Sequence, residues 1–391
     1  MMKKLTYTIM ICLFMAGCEK YDYVSSDSGL INRRHLDDSE MTLGKNLNLT
    51  ASLMADVIQD ELVINEISQI FSEDRSEYQI SFRDLFEDPK GEASFKNLKD
   101  RFLDACAAKG SNVDWGDLPR FLVKSGCYIY VPYPACFYPK GIKTFTVAAH
   151  PIDNDIENKG YCVDGKKIKE VNVNEKYADK NPVILIMPED DNGNEAAGSQ
   201  TDHSAGVKGD PVNEVRIGKI RCADYCGGLF EGTLELQVGR GYPDYNITTG
   251  EVKGTFSTLI PIKYPRDYAK AAVNNWTSYR NGGWYYTNSI WDSNWRSTKV
   301  QQCILAYEYD KSKEVTTSAA VGFKPEDTNI TLTASAKTTY RGDFLGISEW
   351  DRDWFFATNT HPGSYDEVKD GLTVRRTCPV LKMTTPLRTI Y

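Results

Sequence analysis

The chain has 391 residues and a formal net charge of −8, with 41 % hydrophobic and 12 % aromatic residues. That is enough apolar material for a globular body of two or three domains, and the acidic balance argues against nucleic acid as a partner, because phosphate binding needs a basic surface. Beyond the first seventeen residues no stretch approaches the roughly eighteen consecutive apolar positions of a membrane-spanning helix.

Met1-Met2-Lys3-Lys4 is a basic start, and Leu5 to Ala16 is apolar or small except for Thr6, Tyr7 and Thr8. At about 1.5 Å per residue this run falls short of a hydrocarbon core about 30 Å thick, so it is predicted to be a secretory signal. It ends in Met15-Ala16-Gly17-Cys18, followed at once by charge at Glu19 and Lys20. This ending resembles the lipobox of bacterial lipoproteins, departing at Met15, where that family favours leucine. The resemblance implies that Cys18 receives a diacylglycerol, that residues 1-17 are cut away and that the new amine is acylated. Two or more chains anchor stably where one does not, so a membrane is the expected partner through lipidated Cys18.

Residues 18-40 are polar and aperiodic, with Ser25-Ser26-Asp27-Ser28-Gly29 and Asp37-Asp38-Ser39-Glu40, and are expected to form a flexible tether. Residues 41-125 are predicted to be mainly helical. Leu43, Leu47, Ala51, Met54, Ile58, Leu62 and Phe71 recur at steps of three and four, and Ser94 opens a second periodic run through Phe95, Leu98, Phe102 and Cys106. From residue 126 the texture changes to Tyr, Val, Phe and Thr punctuated by Pro and Gly. Strands are expected over 167–173, 182–187, 215–220, 232–238 and 255–260, giving a β-sandwich-like domain at 126-262. Residues 263-391 hold an aromatic-rich segment and a second β-rich domain, with strands over 302–309, 316–321, 329–336 and 372–376. Ile304 to Phe323 reads as one hairpin and Asn329 to Trp350 as the next pair. The predicted fold is therefore mainly β, with antiparallel sandwich domains behind a small helical region. Glu189 to Pro211 has no apolar periodicity and is expected to be a long exposed loop.

Catalytic signatures are few. There is no G-x-S-x-G elbow, no H-E-x-x-H and no phosphate-binding glycine loop. Of the four histidines, His203 sits in the expected loop, where little can orient it. Cys106, Cys127, Cys136, Cys162, Cys222, Cys226, Cys303 and Cys378 permit up to four disulfides in an exported chain, or pack as thiols; none has zinc-site spacing. The acidic runs Asp153-Asn154-Asp155 with Glu157 and Asn158, and Asp190 to Glu195, lack the EF-hand register. No metal or cofactor is expected.

Aromatic residues carry the strongest functional signal. Trp276, Trp284, Tyr285, Trp291 and Trp295 are interleaved with Asn, Ser, Thr and Arg over 274–298. Rings of this kind either stack on the C–H faces of sugars, anchor a protein interface, or fill a core. Trp350 and Trp354 enclose Asp351 and Asp353, a carboxylate pair that would suit a glycosidase only at the right separation. Arg341-Gly342-Asp343 reads as a turn. The order of a helical segment, then Cys127 to Pro134, then Asn181 to Asp191, then Val215 to Val238 resembles lipoproteins of the Bacteroidetes over residues 1–240. That likeness implies an outer-membrane lipoprotein with a β-rich body and brings no catalytic residues. The expected role is non-enzymatic: binding an envelope protein or glycan, or serving as an accessory or structural component. The alternative is a glycan-binding or glycan-active protein that uses the aromatic segment and the acids near 350.

Overall fold

A computed structural model describes residues 38–72, 79–109, 117–138, 144–153, 156–164, 167–188, 211–310, 314–326, 328–360 and 367–390. Cys18, most of the tether, Asn154 and Asp155, the Asp190–Glu195 run and His203 lie outside the described residues.

The first unit runs from α1 (Asp38–Val57) and α2 (Glu61–Ser72) through β1 (Gln79–Ser81), α3 (Phe82–Glu87), α4 (Pro89–Ser94), α5 (Lys96–Ala108) and α6 (Leu118–Lys124). It continues with β2 (Tyr128–Tyr130), β3 (Phe145–Ala149), β4 (Glu157–Asp164), β5 (Lys167–Asn174), α7 (Glu175–Ala178) and β6 (Val183–Met187). Leu47, Ala51, Met54 and Ile58 form the buried face that the spacing predicts, but Leu62 is exposed. The reason is local. Asp60 accepts from the Leu62 N–H (2.9 Å) and starts a new helix, which turns Val63 and Ile67 inward instead. The buried carboxylate of Glu66 then accepts from the N–H groups of Asn97 and Leu98 (2.9 and 2.8 Å), capping α5 from outside because Phe95 offers no side-chain cap.

These helices cover one face of a six-stranded sheet, ordered β1-β2-β6-β3-β4-β5. Central β6 is buried along its whole length. Ile184 and Ile186 meet the helices, while Val183, Leu185 and Met187 meet Tyr130, Tyr133, Tyr138, Leu229 and Phe230 on the other face. The sheet is mixed, since β3 and β6 run parallel over Thr146–Ala149. One core thus joins residues on both sides of position 125, and it is a helix-on-sheet core.

The second unit comprises β7 (Val212–Cys222), β8 (Leu234–Asn246), β9 (Glu251–Tyr264), α8 (Arg266–Val273), the single turn α9 (Arg280–Gly283), β10 (Tyr285–Asp292), β11 (Lys299–Glu308), β12 (Glu314–Phe323), β13 (Leu332–Arg341) and β14 (Asp343–Asp351). It ends with α10 (Arg352–Thr360), β15 (Val368–Lys369), β16 (Leu372–Arg376), β17 (Leu381–Thr384) and β18 (Leu387–Ile390). One sheet is ordered β10-β7-β17-β16-β15, with β18 also on β7. In the other, β12-β13-β9-β8-β11 closes on itself because β11 also pairs with β12, and β14 flanks β11. The closed ring replaces the expected sandwich in this region.

Two strand pairings differ from the sequence reading. β11 and β12 meet only at Lys299↔Phe323 and Gln301↔Gly322, since β8 and β14 occupy most of both edges of β11. β13 and β14, though consecutive, are not paired with each other: β13 lies on β12 and β14 on β11. Gly342 (φ +145°) makes that jump possible, since a Cβ there would stand 1.9 Å from the Glu308 carbonyl oxygen. The Arg341-Gly342-Asp343 glycine is therefore structural.

Glu308 ends β11 and is only 7 % exposed. Burial, reinforced by Glu231, pushes its carboxyl up to about 9. An acid whose folded value lies above its unfolded one contributes stability that is full below about pH 4.5 and is lost as pH rises toward 9. Glu308→Gln is expected to raise the unfolding free energy at about pH 8 by on the order of 2 kcal/mol, with little change at about pH 4. Urea titrations at the two pH values check this.

Candidate functional site

The aromatic segment is split by the fold. Trp291 and Trp295 stand edge-to-face (5.5 Å between centroids), Trp291 meets Trp350 at 5.2 Å, and Trp295 meets Phe355 at 4.9 Å. Their indole N–H groups donate to the carbonyls of Gly239 and Lys299. Trp295 is fully buried, and Trp284 and Trp291 are nearly so. These three rings are core residues and present no face to a ligand. Half-buried Tyr285 stands edge-on to Tyr264 and Tyr268. Next to Trp291, Asp292 forms a buried ion pair with Arg240 (2.6 Å) and accepts from Gln302.

Only Trp276 of the five candidate rings is well exposed, at 41 %. It lies in the turn after α8, where the Trp276 N–H donates to the Ala271 carbonyl (2.9 Å) and Asn275 takes a positive φ. Phe137, from the Tyr- and Pro-rich stretch of the first unit, meets Trp276 at 5.9 Å and Tyr279 at 5.8 Å. Exposed Val273, Asn274, Asn275, Thr277 and Ser278 surround the Trp276 ring in sequence. The result is a neutral aromatic surface spanning both units.

Beneath it lies a cluster of charges that sequence reasoning missed. Phe137 stacks on Tyr133 (4.6 Å), and the Tyr133 hydroxyl donates to Glu175. Glu175, opening α7 behind the Asn174 cap, also receives Arg266 Nη2 (3.0 Å) and Lys270 Nζ (3.2 Å) from α8. Lys270 is further paired with Asp179, and both cations lie 5.2 Å from the Tyr225 ring centroid. Arg266 Nη2 donates to the Gly227 carbonyl as well, whereas its Nε and Nη1 have no hydrogen-bond partner. Asp267 on the same helix holds Arg280 at 2.5 Å.

Burial raises the Glu175 carboxyl, but Arg266 and Lys270 outweigh it and hold the group below the usual range. Burial likewise lowers Lys270, and Glu175 with Asp179 more than restores it. Tyr133 is driven well up by burial, and Asp267 is raised by burial despite Arg280. Every charge in the cluster thus has an opposite partner. The arrangement suits holding two units together and presenting rings, rather than proton transfer.

The remaining candidates have structural duties. Asp351 accepts from the Trp354 N–H (2.9 Å) and caps α10, while Asp353 projects into solvent with its side chain 97 % exposed. Trp354 is exposed, with the Arg375 guanidinium 4.6 Å from its ring centroid. Glu157 accepts from Asn172 and Asn158 donates to the Ala149 carbonyl, both serving the strand hairpins. His150, the one described histidine, stands edge-on to Phe230. None of the eight described cysteines is joined in a disulfide. Among the described residues no group of three or more His, Cys, Asp or Glu is placed to hold a metal ion.

Removing Glu175 would leave two buried cations without their shared counter-charge. Glu175→Gln is expected to cost about 3–5 kcal/mol at neutral pH. Because the folded-state value of Glu175 is depressed, its contribution is present above the unfolded carboxylate value and lost as pH falls through the folded one. The difference between parent and variant should therefore shrink on acidification, as followed by denaturant unfolding. No protein-family model, curated protein or solved structure matches the chain.

Proposed function

We propose that the chain is a lipid-anchored protein of the cell envelope with a non-enzymatic binding role, and that the surface around Trp276 is its binding face. The anchor rests on the lipobox-like Met15-Ala16-Gly17-Cys18 and on the basic and apolar run before it. Among the described residues no helix is long and apolar enough to cross a membrane, so in this reading the acyl chains at Cys18 supply the attachment. The outer membrane is the proposed location.

The observation that carries the binding face is the exposure of Trp276 against Phe137 and Tyr279. A rigid indole loses little conformational freedom on binding, and its flat face accepts C–H groups. The flanking amides and hydroxyls of Asn274, Asn275, Thr277 and Ser278 are suited to hydroxyl partners, and Arg280 and Lys270 on the same stretch of chain are already paired with Asp267 and Glu175. A neutral saccharide is the ligand class this chemistry favours over a charged one. Binding is favoured over cleavage because Asp351 is spent on capping a helix and Asp353 stands in solvent.

Trp276→Ala is expected to weaken binding on a glycan array or in envelope pull-downs at least tenfold, about 1.4 kcal/mol or more, while lowering stability by only about 1–2 kcal/mol through its two lost ring contacts, which leaves the protein folded. Equal binding by parent and variant sinks the assignment of the face. Separately, Cys18→Ser should abolish incorporation of a labelled fatty acid and release the protein from the membrane fraction; retention there with an unlabelled chain sinks the anchor.

A further inference from the structure

β7 ends at Cys222, and the chain then folds back sharply. Ala223 N–H still donates to the Val380 carbonyl (2.7 Å), but Asp224 accepts from the Cys226 N–H (3.0 Å), and Cys226 takes a positive φ of 49°. This tight return brings the Cys226 thiol within hydrogen-bonding reach of the Cys222 thiol. Cys222 is buried, with Sγ 3.7 Å from the Asp224 carbonyl oxygen, and Cys226 is half-buried against the same core. Between them, Tyr225 lays its ring beside Arg266 and Lys270, and the Gly227 carbonyl accepts from Arg266. Residues 222–227 thus form a strap from the second unit over the charged junction.

We propose that Cys222 and Cys226 are a disulfide-forming pair that fastens this strap. The more accessible Cys226 thiolate attacks a sulfur of a low-molecular-weight or protein disulfide, forming a mixed disulfide and expelling one thiolate. The Cys222 thiolate then attacks the Cys226 sulfur of that mixed disulfide and expels the second. Two protein thiols and one external disulfide become one protein disulfide and two external thiols, so atoms and electrons balance. The supply of external disulfide in the cell rests on the envelope reading above; the reactivity of the pair does not. The neighbouring Cys222 thiol and burial hold the Cys226 thiol high, so closure is expected to speed up as pH rises. Half-buried Cys378 packs against the same core and is the rival partner for Cys222.

The test uses the purified protein, treated with oxidised glutathione at about pH 8.5 and then blocked with N-ethylmaleimide under denaturing conditions. Trypsin cleaves after Arg221 and Arg240, placing Cys222 and Cys226 on one peptide, and after Arg376 and Lys382, placing Cys378 on another. The expected product is a 222–240 peptide that has lost two hydrogens and takes up no maleimide. Two maleimides or two glutathiones on that peptide, or a cross-link to 377–382, overturn the pairing. Cys378→Ser should still form the bond and Cys226→Ser should not; the reverse pattern also overturns it. The oxidised protein should melt several degrees above the reduced one, and equal melting temperatures overturn the fastening role. Because these readouts need no membrane, they can succeed or fail independently of the envelope reading.

Discussion

An arginine and a lysine one turn apart on α8 share a single glutamate from the other unit, and the junction is organised around that sharing. Taking three charges out of water is expensive, and hydrophobic side chains of similar volume would hold two surfaces together at least as well. What an ion cluster adds is direction. Arg266 reaches both Glu175 and the Gly227 carbonyl with one nitrogen, while Lys270 bridges Glu175 and Asp179. Sliding α8 along the first unit would leave buried cations without counter-charges, whereas sliding an apolar contact would cost far less. The apolar part of the same junction, Leu229 and Phe230 against the back of the sheet, supplies burial without that precision.

The tryptophans illustrate how a fold distributes one residue type. Inside, each indole N–H must find an acceptor: Trp291 reaches the Gly239 carbonyl at the irregularity in mid-β8, and Trp295 the Lys299 carbonyl at the start of β11. Their rings then fill the space between the two sheets and α10. Trp276 follows a helix end instead, where the chain turns outward through Asn275, and it meets Phe137 at a tilt and Tyr279 edgewise rather than being enclosed. Its neighbours along the chain are as polar as those of Trp295, so local composition does not separate the two.

That comparison shows where the sequence is readable. Strands such as Lys167–Asn174 and Leu372–Arg376 announce themselves because alternation and β-branched residues are local properties. Helix faces were legible until a cap shifted the phase, as Asp60 does between Ile58 and Val63. Sheet membership was not legible: β13 and β14 follow one another across Gly342 yet join different neighbours, a choice made by residues far away along the chain. The junction was equally hidden, for Glu175 and Lys270 are 95 positions apart and charged residues of their type are common. The only local hint was the spacing of Arg266 and Lys270 by one helical turn, with the Tyr-rich stretch that supplies Tyr133.

The exposed face and the buried cluster are one continuous structure. Trp276 meets Phe137, Phe137 stacks on Tyr133, and Tyr133 donates to the glutamate that holds α8. Trp276 belongs to the second unit and Phe137 to the first, so the surface exists only while the units are docked. Anything that binds both rings therefore favours the docked arrangement by its own differential affinity, and whatever strengthens docking improves the site in the same measure. The strap touches the same two cations through the Tyr225 ring. Ring contacts at the surface, ion pairing beneath them and the strap thus converge on one contact, α8 against the first unit.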